Sequence, residues 1–349
     1  MYLAKNTLSP KYLPSIWRPF LYFKWHLQCN PLLTLILVLT FSSAKAQYGI
    51  LDPAQIPKIK TGKTYILMQD PSSLEAQPFI EVFKRYWTFS SFEIISYEDV
   101  STKIKPGVFF FGIDWMSKTI TNYRVDPGGY RRPSLTYDFT HFFLSISTYS
   151  DKFFNKEEKK RDYSDRSFIT RTELYTDFFL LANPDSLRNL SYDGDQHIYN
   201  WSPGILKNFI QQLMRDLEKG EKRSLYTAIY DQEEISKLKE QTLYVPDYIL
   251  TKFSKMSGKE DKKHEESEIF KDYPHQYKLV SSEKLNEMIL QEAEPFYYLL
   301  YLKSSTDKYL TVINSQTGKI VYSFYYPISY NIEPADLKDL AREIKLRNK

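Results

Sequence analysis

The densest group of residues able to do chemistry is NLSYDGDQHIYNW, residues 189–201, which sets Asp193, Asp195 and His197 at two-residue spacing. Two carboxylates and an imidazole presented from one loop could ligate a divalent ion. The simpler reading is an Asp-Gly turn whose carboxylates accept from their own backbone, and it is favoured because the EF-hand spacing and its closing Glu are absent. Tyr192, Tyr199 and Trp201 flank the turn and could stack on sugar rings, although with 29 tyrosines in the chain such clustering also follows from composition. A second group, DPGGYRRP at 126–133, places Arg131 and Arg132 just after a flexible turn. Paired guanidinium groups can clamp a carboxylate or phosphate bidentately, whereas arginines on a solvated loop contribute little. Asp138 and His141, three apart on an expected strand, point to opposite faces and cannot act as a pair. His141 among Phe139, Phe142 and Phe143 reads as a core or edge histidine.

Other chemistries are excluded by pattern. Gly62-Lys63-Thr64 resembles the tail of a phosphate-binding loop, but Pro57 stands where the first glycine belongs, and the triplet enters a strand instead of leaving one. A phosphate cradle needs backbone amides at a helix N-terminus, so the match fails. There is no G-x-S-x-G elbow, no H-E-x-x-H and no dinucleotide glycine fingerprint. No cofactor is indicated beyond the divalent metal that the 193–197 group could take.

Residues 32–41, LLTLILVLTF, form an uncharged apolar run preceded by Arg18 and Lys24 and followed by Ser42-Ser43-Ala44-Lys45-Ala46. A basic segment, a short apolar run and an A-x-A site predict a signal peptide over 1–46, cleaved after Ala46, with Gln47 starting the mature chain. The run is shorter than the roughly 20 residues that cross a bilayer. The mature protein is therefore expected to be periplasmic or secreted; the alternative is a membrane anchor kept through an uncleaved 32–41 segment. Residues 1–31 make an unusually long basic segment, so translation could begin further along. The one cysteine, Cys29, precedes the apolar run, where a lipoprotein signal would need it afterwards. Disulfides, thiolate metal sites and cysteine catalysis are thus excluded from the mature chain. The Ala-Lys-Ala-Gln junction and the Tyr/Lys-rich composition resemble exported proteins of Bacteroidota-type bacteria, a resemblance confined to the leader.

The leader also accounts for the net charge. It holds Lys5, Lys11, Arg18, Lys24 and Lys45 and no acid, so removing those five of 47 basic residues leaves 42 against 43 acidic ones. A near-neutral mature chain carries no general electrostatic case for nucleic acid. No basic amphipathic helix points to a membrane surface.

The elements that must position these groups fall into two similar series. QIPKIKTGKTYILMQD at 55–70 returns as EISKLKEQTLYVPDYIL at 234–250, matching Ile56 with Ile235, Lys58 with Lys237, Ile59 with Leu238, Lys60 with Lys239 and Thr64 with Thr242. An internal duplication explains the match; chance likeness of two amphipathic stretches is the alternative. After the first copy the spacing predicts a strand over 64–69, then a helix carrying Phe79, Val82, Phe83, Tyr86 and Trp87 on one stripe. A strand over 92–96, a helical turn over 98–104 and a buried strand over 108–113 follow. Further strands are expected over 135–148 and 173–182, separated by a charged loop over 151–167. A second long loop, 183–201, precedes a helix with Ser202 as N-cap, Pro203 at N1 and Gly220 as stop.

After the second copy, strands are expected over 243–250 and 276–280, with a charged loop over 252–268 between them. A helix capped by Ser282 follows, then strands over 296–303, 308–315 and 319–326 and a closing helix from Pro334. The expected fold class is mixed α/β: two similar halves, 47–222 and 223–349, each β-α-β-α-β followed by antiparallel strands and a closing helix. A single continuous sheet shared by the halves is the alternative.

On these grounds the expected function is a non-catalytic binding or interaction module of the cell envelope, taking a ligand or partner, an envelope protein or a saccharide, in a cleft between the halves. The competing expectation is a hydrolase or metal-dependent enzyme with its site in 183–201, helped by Arg131. The long insertions all fall in the first half, which draws both readings to one surface.

Overall fold

In the computed structural model the described residues are 48–346, less 163, 164, 226, 255–258, 305, 306 and 328. The expected leader, with Cys29, the 32–41 run and Gln47, lies outside them. Tyr48, the second residue of the expected mature chain, is buried in the first strand and pairs with Thr172. Among the described residues no helix is long and apolar enough to cross a membrane.

The architecture is mixed α/β, built on two six-stranded sheets. The first holds β1 (Tyr48–Ile50), β2 (Lys63–Met68), β3 (Ser91–Ser96), β4 (Val108–Val125), β5 (Arg131–Tyr149) and β6 (Arg166–Leu174), in the order β1-β6-β5-β4-β2-β3. The second holds β7 (Ile229–Tyr230), β8 (Leu243–Pro246), β11 (Tyr277–Val280), β12 (Tyr297–Ser304), β13 (Asp307–Asn314) and β14 (Ile320–Pro327), in the order β11-β8-β12-β13-β14-β7. A small hairpin, β9 (Thr251–Ser254) with β10 (Lys259–Lys263), stands apart. Written in each half's own strand order, both sheets run 3-2-4-5-6-1. Directions agree as well: β2 is parallel to β3 and β4 as β8 is to β11 and β12, and the remaining pairs are antiparallel in both. The sheets are separate, so the single shared sheet is not what forms.

Six helices shape the core and its surfaces: α1 (Ile56–Thr61), α2 (Gln77–Tyr86), α3 (Phe178–Ala182), α4 (Pro203–Lys219), α5 (Ser282–Gln291) and α6 (Pro334–Lys345). The Ser202 side chain accepts from Ile205 N, Pro203 opens α4, and Gly220 closes it at φ 66°. Each feature answers a backbone need at a helix end. One apolar cluster joins a face of each sheet through α2, α4 and α5: Ile66, Phe109 and Phe111 on one side, Tyr298, Leu300 and Ile313 on the other, Phe83, Phe209 and Ile289 among the helices. The Tyr298 hydroxyl donates to Asn208 Oδ1 at 3.0 Å, tying α4 to the second sheet. The halves therefore share a core. A second cluster backs the second sheet with α6 and Ile235 and Leu238.

Several expected boundaries are corrected. The strand expected over 173–182 ends at Leu174, because Asp177 caps α3 by accepting from Leu180 N at 3.0 Å. A short apolar run does not by itself separate strand from helix. The strand expected over 243–250 ends at Pro246, and Asp247–Leu250 turns into a 3-10 helix. Ser281, one residue before the expected cap, accepts from Lys284 N and starts α5. The charged 252–268 segment contains the β9–β10 hairpin, and Phe153 of the 151–167 segment is buried in a short helix, Asp151–Phe154. The strand expected over 108–113 continues to Val125. Its continuation pairs only with β5, because β2 covers β4 as far as Phe111 and β6 covers β5 only from Phe142. Beyond those points β4 and β5 form a two-stranded ribbon.

Candidate functional site

The 193–197 group folds as the turn. Asp193 Oδ1 accepts from Asp195 N at 3.0 Å, and Asp195 Oδ2 from Ser191 N at 3.0 Å. Gly194, Asp195 and Gln196 all have positive φ, a conformation the local carboxylate bonds help to hold. His197 turns away from both acids: its Nδ1 lies 2.7 Å from Asp177 Oδ2, and Phe179 stacks on its ring at 4.8 Å. Among the described residues no three acids, histidines or cysteines converge to hold a metal ion.

Two of the three aromatics expected as a stacking platform are core residues. Tyr192 and Trp201 are 2 % and 5 % exposed, packed with Phe79, and the Trp201 indole donates to the Tyr192 carbonyl at 2.7 Å. Their rings anchor the segment and offer no face to a ligand. Tyr199 is half-buried, stacked with Tyr248, and its hydroxyl donates to Glu260 at 3.4 Å. Burial, with Glu260 beside it, pushes that phenol up. Arg131 and Arg132 sit at the tip of the β4–β5 ribbon. Arg132 pairs with Asp126 at 2.9 Å, while Arg131 lies over the Tyr123 ring at 5.3 Å.

In α/β sheets the usual binding crevice lies beyond the carboxyl ends of the parallel strands, where neighbouring strands leave in opposite directions. That point falls between β2 and β4 in the first half and between β8 and β12 in the second. The first is filled. A 3-10 helix, Pro184–Asn189, buries Leu187; the Leu187 carbonyl accepts from Gln69 Nε2 at 3.1 Å, and Arg188 lies over the Tyr97 ring at 3.8 Å. Beneath it Asp114 is buried, paired with Arg166 and accepting from Ser145 at 3.1 Å. The 183–201 segment is thus in large part a plug.

At the second crevice, the segment leaving β8 buries Tyr248 and Ile249, and the Tyr248 hydroxyl donates to the Tyr301 carbonyl of β12 at 3.1 Å, but space remains further along β12. A cavity of about 380 Å³ lies beside the end of β12 and the segment leaving β8. One wall is the base of the ribbon, with Ser117, Asp138 and Thr140; the other carries Phe178 and Leu181 of α3, Phe253 of β9 and Tyr330. Both halves contribute, and the volume falls within the range of small-ligand sites. At its inner end the Lys303 side chain is 1 % exposed and ion-paired with Glu260, itself 8 % exposed. The ammonium also lies 4.0 Å from the Phe253 ring centre. Burial holds Lys303 below the usual lysine value, with Glu260 offsetting part of that. A polar junction lies close by in sequence, at the neighbours of Thr140 and Lys303. The Ser304 hydroxyl donates to Glu173 Oε2 at 2.7 Å and lies 2.8 Å from His141 Nδ1.

Sequence reasoning passed over Lys303, Glu260 and Phe178. The available signal was a lysine closing an otherwise apolar strand, YYLLYLK, where an unpaired ammonium could not remain charged. Its partner was hidden in a run of surface-like charges. Comparison with protein-family models, with curated proteins and with solved structures finds no match.

Proposed function

We propose that the chain is an exported, non-catalytic binding protein whose ligand occupies the crevice at the carboxyl ends of β8 and β12. The observation that carries this reading is the cavity of about 380 Å³ beside the end of β12, with walls from both halves, whereas the first crevice is filled by Leu187 and Arg188. The missing nucleophile elbow, H-E-x-x-H and dinucleotide fingerprint support it further. The test is thermal shift of the full chain against divalent ions, sugars, nucleotides and peptides. A ligand that raises Tm is expected to lose its effect in Phe178→Ala. A response that survives Phe178→Ala but disappears in Asp193→Ala/Asp195→Ala would move the function to the 193–197 turn and favour a metal-dependent enzyme.

Export is the localisation we propose, periplasmic or secreted. Its support is the leader pattern together with the burial of Tyr48, one residue past the expected mature start. N-terminal sequencing of protein from its native host is expected to begin at Gln47; a membrane-bound form retaining residues 32–41 would show an anchor instead.

The two halves we read as copies of one duplicated unit. Identical strand order and directions support this, as do Ile59 and Leu238, both fully buried ahead of the central parallel strands. Superposing the two sheets should bring these residues together, and a best fit that separates them by several positions would end the idea.

A further inference from the structure

Resting on the crevice reading, we infer that the ligand is a neutral oligosaccharide lying between the aromatic wall and the hydroxyl-bearing face of the β4–β5 ribbon. The single cation among the described lining residues, Lys303, is already paired with Glu260. A phosphate or carboxylate ligand would find no free positive charge among them, and charge-assisted bonds are what bind such groups. What the crevice offers instead is apolar ring surface opposite a row of oxygens. Phe178 is 43 % exposed and lies 6.1 Å from Phe253, which stacks on Tyr330 at 5.7 Å.

Across from the rings, alternate ribbon positions carry hydroxyl and carboxylate groups paired between strands. Ser117 meets Thr140 at 2.7 Å, Thr119 donates to Asp138 at 2.6 Å, and Thr121 meets Thr136 at 3.2 Å. Residues two apart share a face and lie about 6.6–6.8 Å apart along a strand. The oxygens therefore continue out of the cavity as a line, which suits a chain of sugar units better than one. A pyranose ring is apolar on its C–H faces and hydroxylated around its rim, matching the two walls. A peptide adding to a sheet needs a free backbone edge; the ribbon has such edges on its outer sides, but the residues it turns to the cavity, Ser117, Asp138 and Thr140, belong to its side-chain face.

The test is a glycan array followed by calorimetry on the full chain, using neutral hexasaccharides of glucose and of N-acetylglucosamine as probes. Binding is expected to weaken about tenfold in Phe178→Ala and to be largely kept in Phe178→Tyr. Thr119→Val should also weaken it, and Tyr130→Ala at the exposed ribbon tip should not. Far-UV circular dichroism checks that each variant is folded. Absence of binding to any neutral glycan would overturn the inference, as would binding indifferent to both Phe178→Ala and Thr119→Val. A peptide or nucleotide whose binding is lost in Phe178→Ala would overturn the saccharide while leaving the crevice as the ligand site.

Discussion

Glu260→Ala is expected to lower the stability of the fold by about 3–5 kcal/mol, because it leaves the Lys303 ammonium buried without its counter-charge. Lys303 is 1 % exposed; beyond Glu260 it has the rings of Phe253 and Tyr175, at 4.0 and 5.4 Å, and the weaker field of the Asp177 carboxylate. Rings temper a positive charge but do not replace a carboxylate. The double variant Glu260→Leu/Lys303→Met removes both charges and should recover most of the loss, since an ion pair replaced by apolar groups of similar size is often neutral in stability. The variant should also acquire a characteristic pH dependence. An unfolded lysine keeps its proton up to about 10.5, whereas burial makes the folded one release it earlier. Between those two values the unfolded state binds more protons, so stability rises with pH. Urea unfolding of Glu260→Ala should therefore show increasing stability from pH 7 to 10, with a slope steeper than that of the natural chain. A loss below 1 kcal/mol with no such slope would mean that the ammonium reaches water and the pair is superficial.

Much of the fold was legible because its elements carry local chemistry. α4 was readable end to end: Ser202, Pro203 and Gly220 each meet a requirement of a helix terminus, and the stripe from Ile205 to Leu217 meets the requirement of a core. β2, β3, β12, β13 and β14 were readable from apolar runs bounded by turns, including Gly318 at φ 67°. Misreadings arose where one short signal admits two structures. Phe178 to Ala182 is apolar enough for a strand, and only the Asp177 cap turns it into a helix. The β4 arm of the ribbon was missed past Ile113, where the sequence carries no burial pattern, whereas the strand expected over 135–148 took in most of the β5 arm. Strand order was beyond the sequence altogether, since pairing of β8 with both β11 and β12 depends on contacts between distant segments.

The site was less legible than the fold, for a related reason. Asp193, Asp195 and His197 stood out because they are adjacent in sequence, yet adjacency in a turn mostly reflects the turn. Tyr192 and Trp201 were indistinguishable in type from exposed stacking aromatics; the contact with Phe79 that buries them joins segments more than a hundred residues apart. The crevice has the same character on a larger scale. Thr140, Phe178, Phe253 and Lys303 come from four different elements, and their convergence follows from the stacking of two sheets around one core.

Glu173→Gln is expected to be the most disruptive single change at the junction between the halves, costing about 3–5 kcal/mol. The carboxylate is 1 % exposed; it pairs with Arg171, accepts from Ser304 of the second half at 2.7 Å, and lies 3.4 Å from His141 Nδ1. Glutamine keeps the shape but leaves the Arg171 guanidinium with the Phe143 ring, 4.3 Å away, and the Met116 sulfur, 3.1 Å away, as partial counterweights. Ser304→Ala removes one hydrogen bond to that carboxylate and should cost about 1.5–3 kcal/mol. The sign of the pH effect is fixed by the carboxyl. Burial alone would raise it, but Arg171 and the hydrogen bond from His141 outweigh burial and hold it below the usual glutamate value of 4.5. Its contribution is therefore fully present above pH 4.5 and is lost as pH falls through the depressed folded value. Urea unfolding at pH 7, 5, 4 and 3 should show the natural chain losing stability more steeply than Glu173→Gln over the lower part of that range. Hydrogen exchange at pH 7 should show the variant opening first in β6 and β12, where the halves meet. Parallel acid curves for the two proteins would remove Glu173 from the groups that hold the halves together and leave the apolar core around α4 as their principal joint.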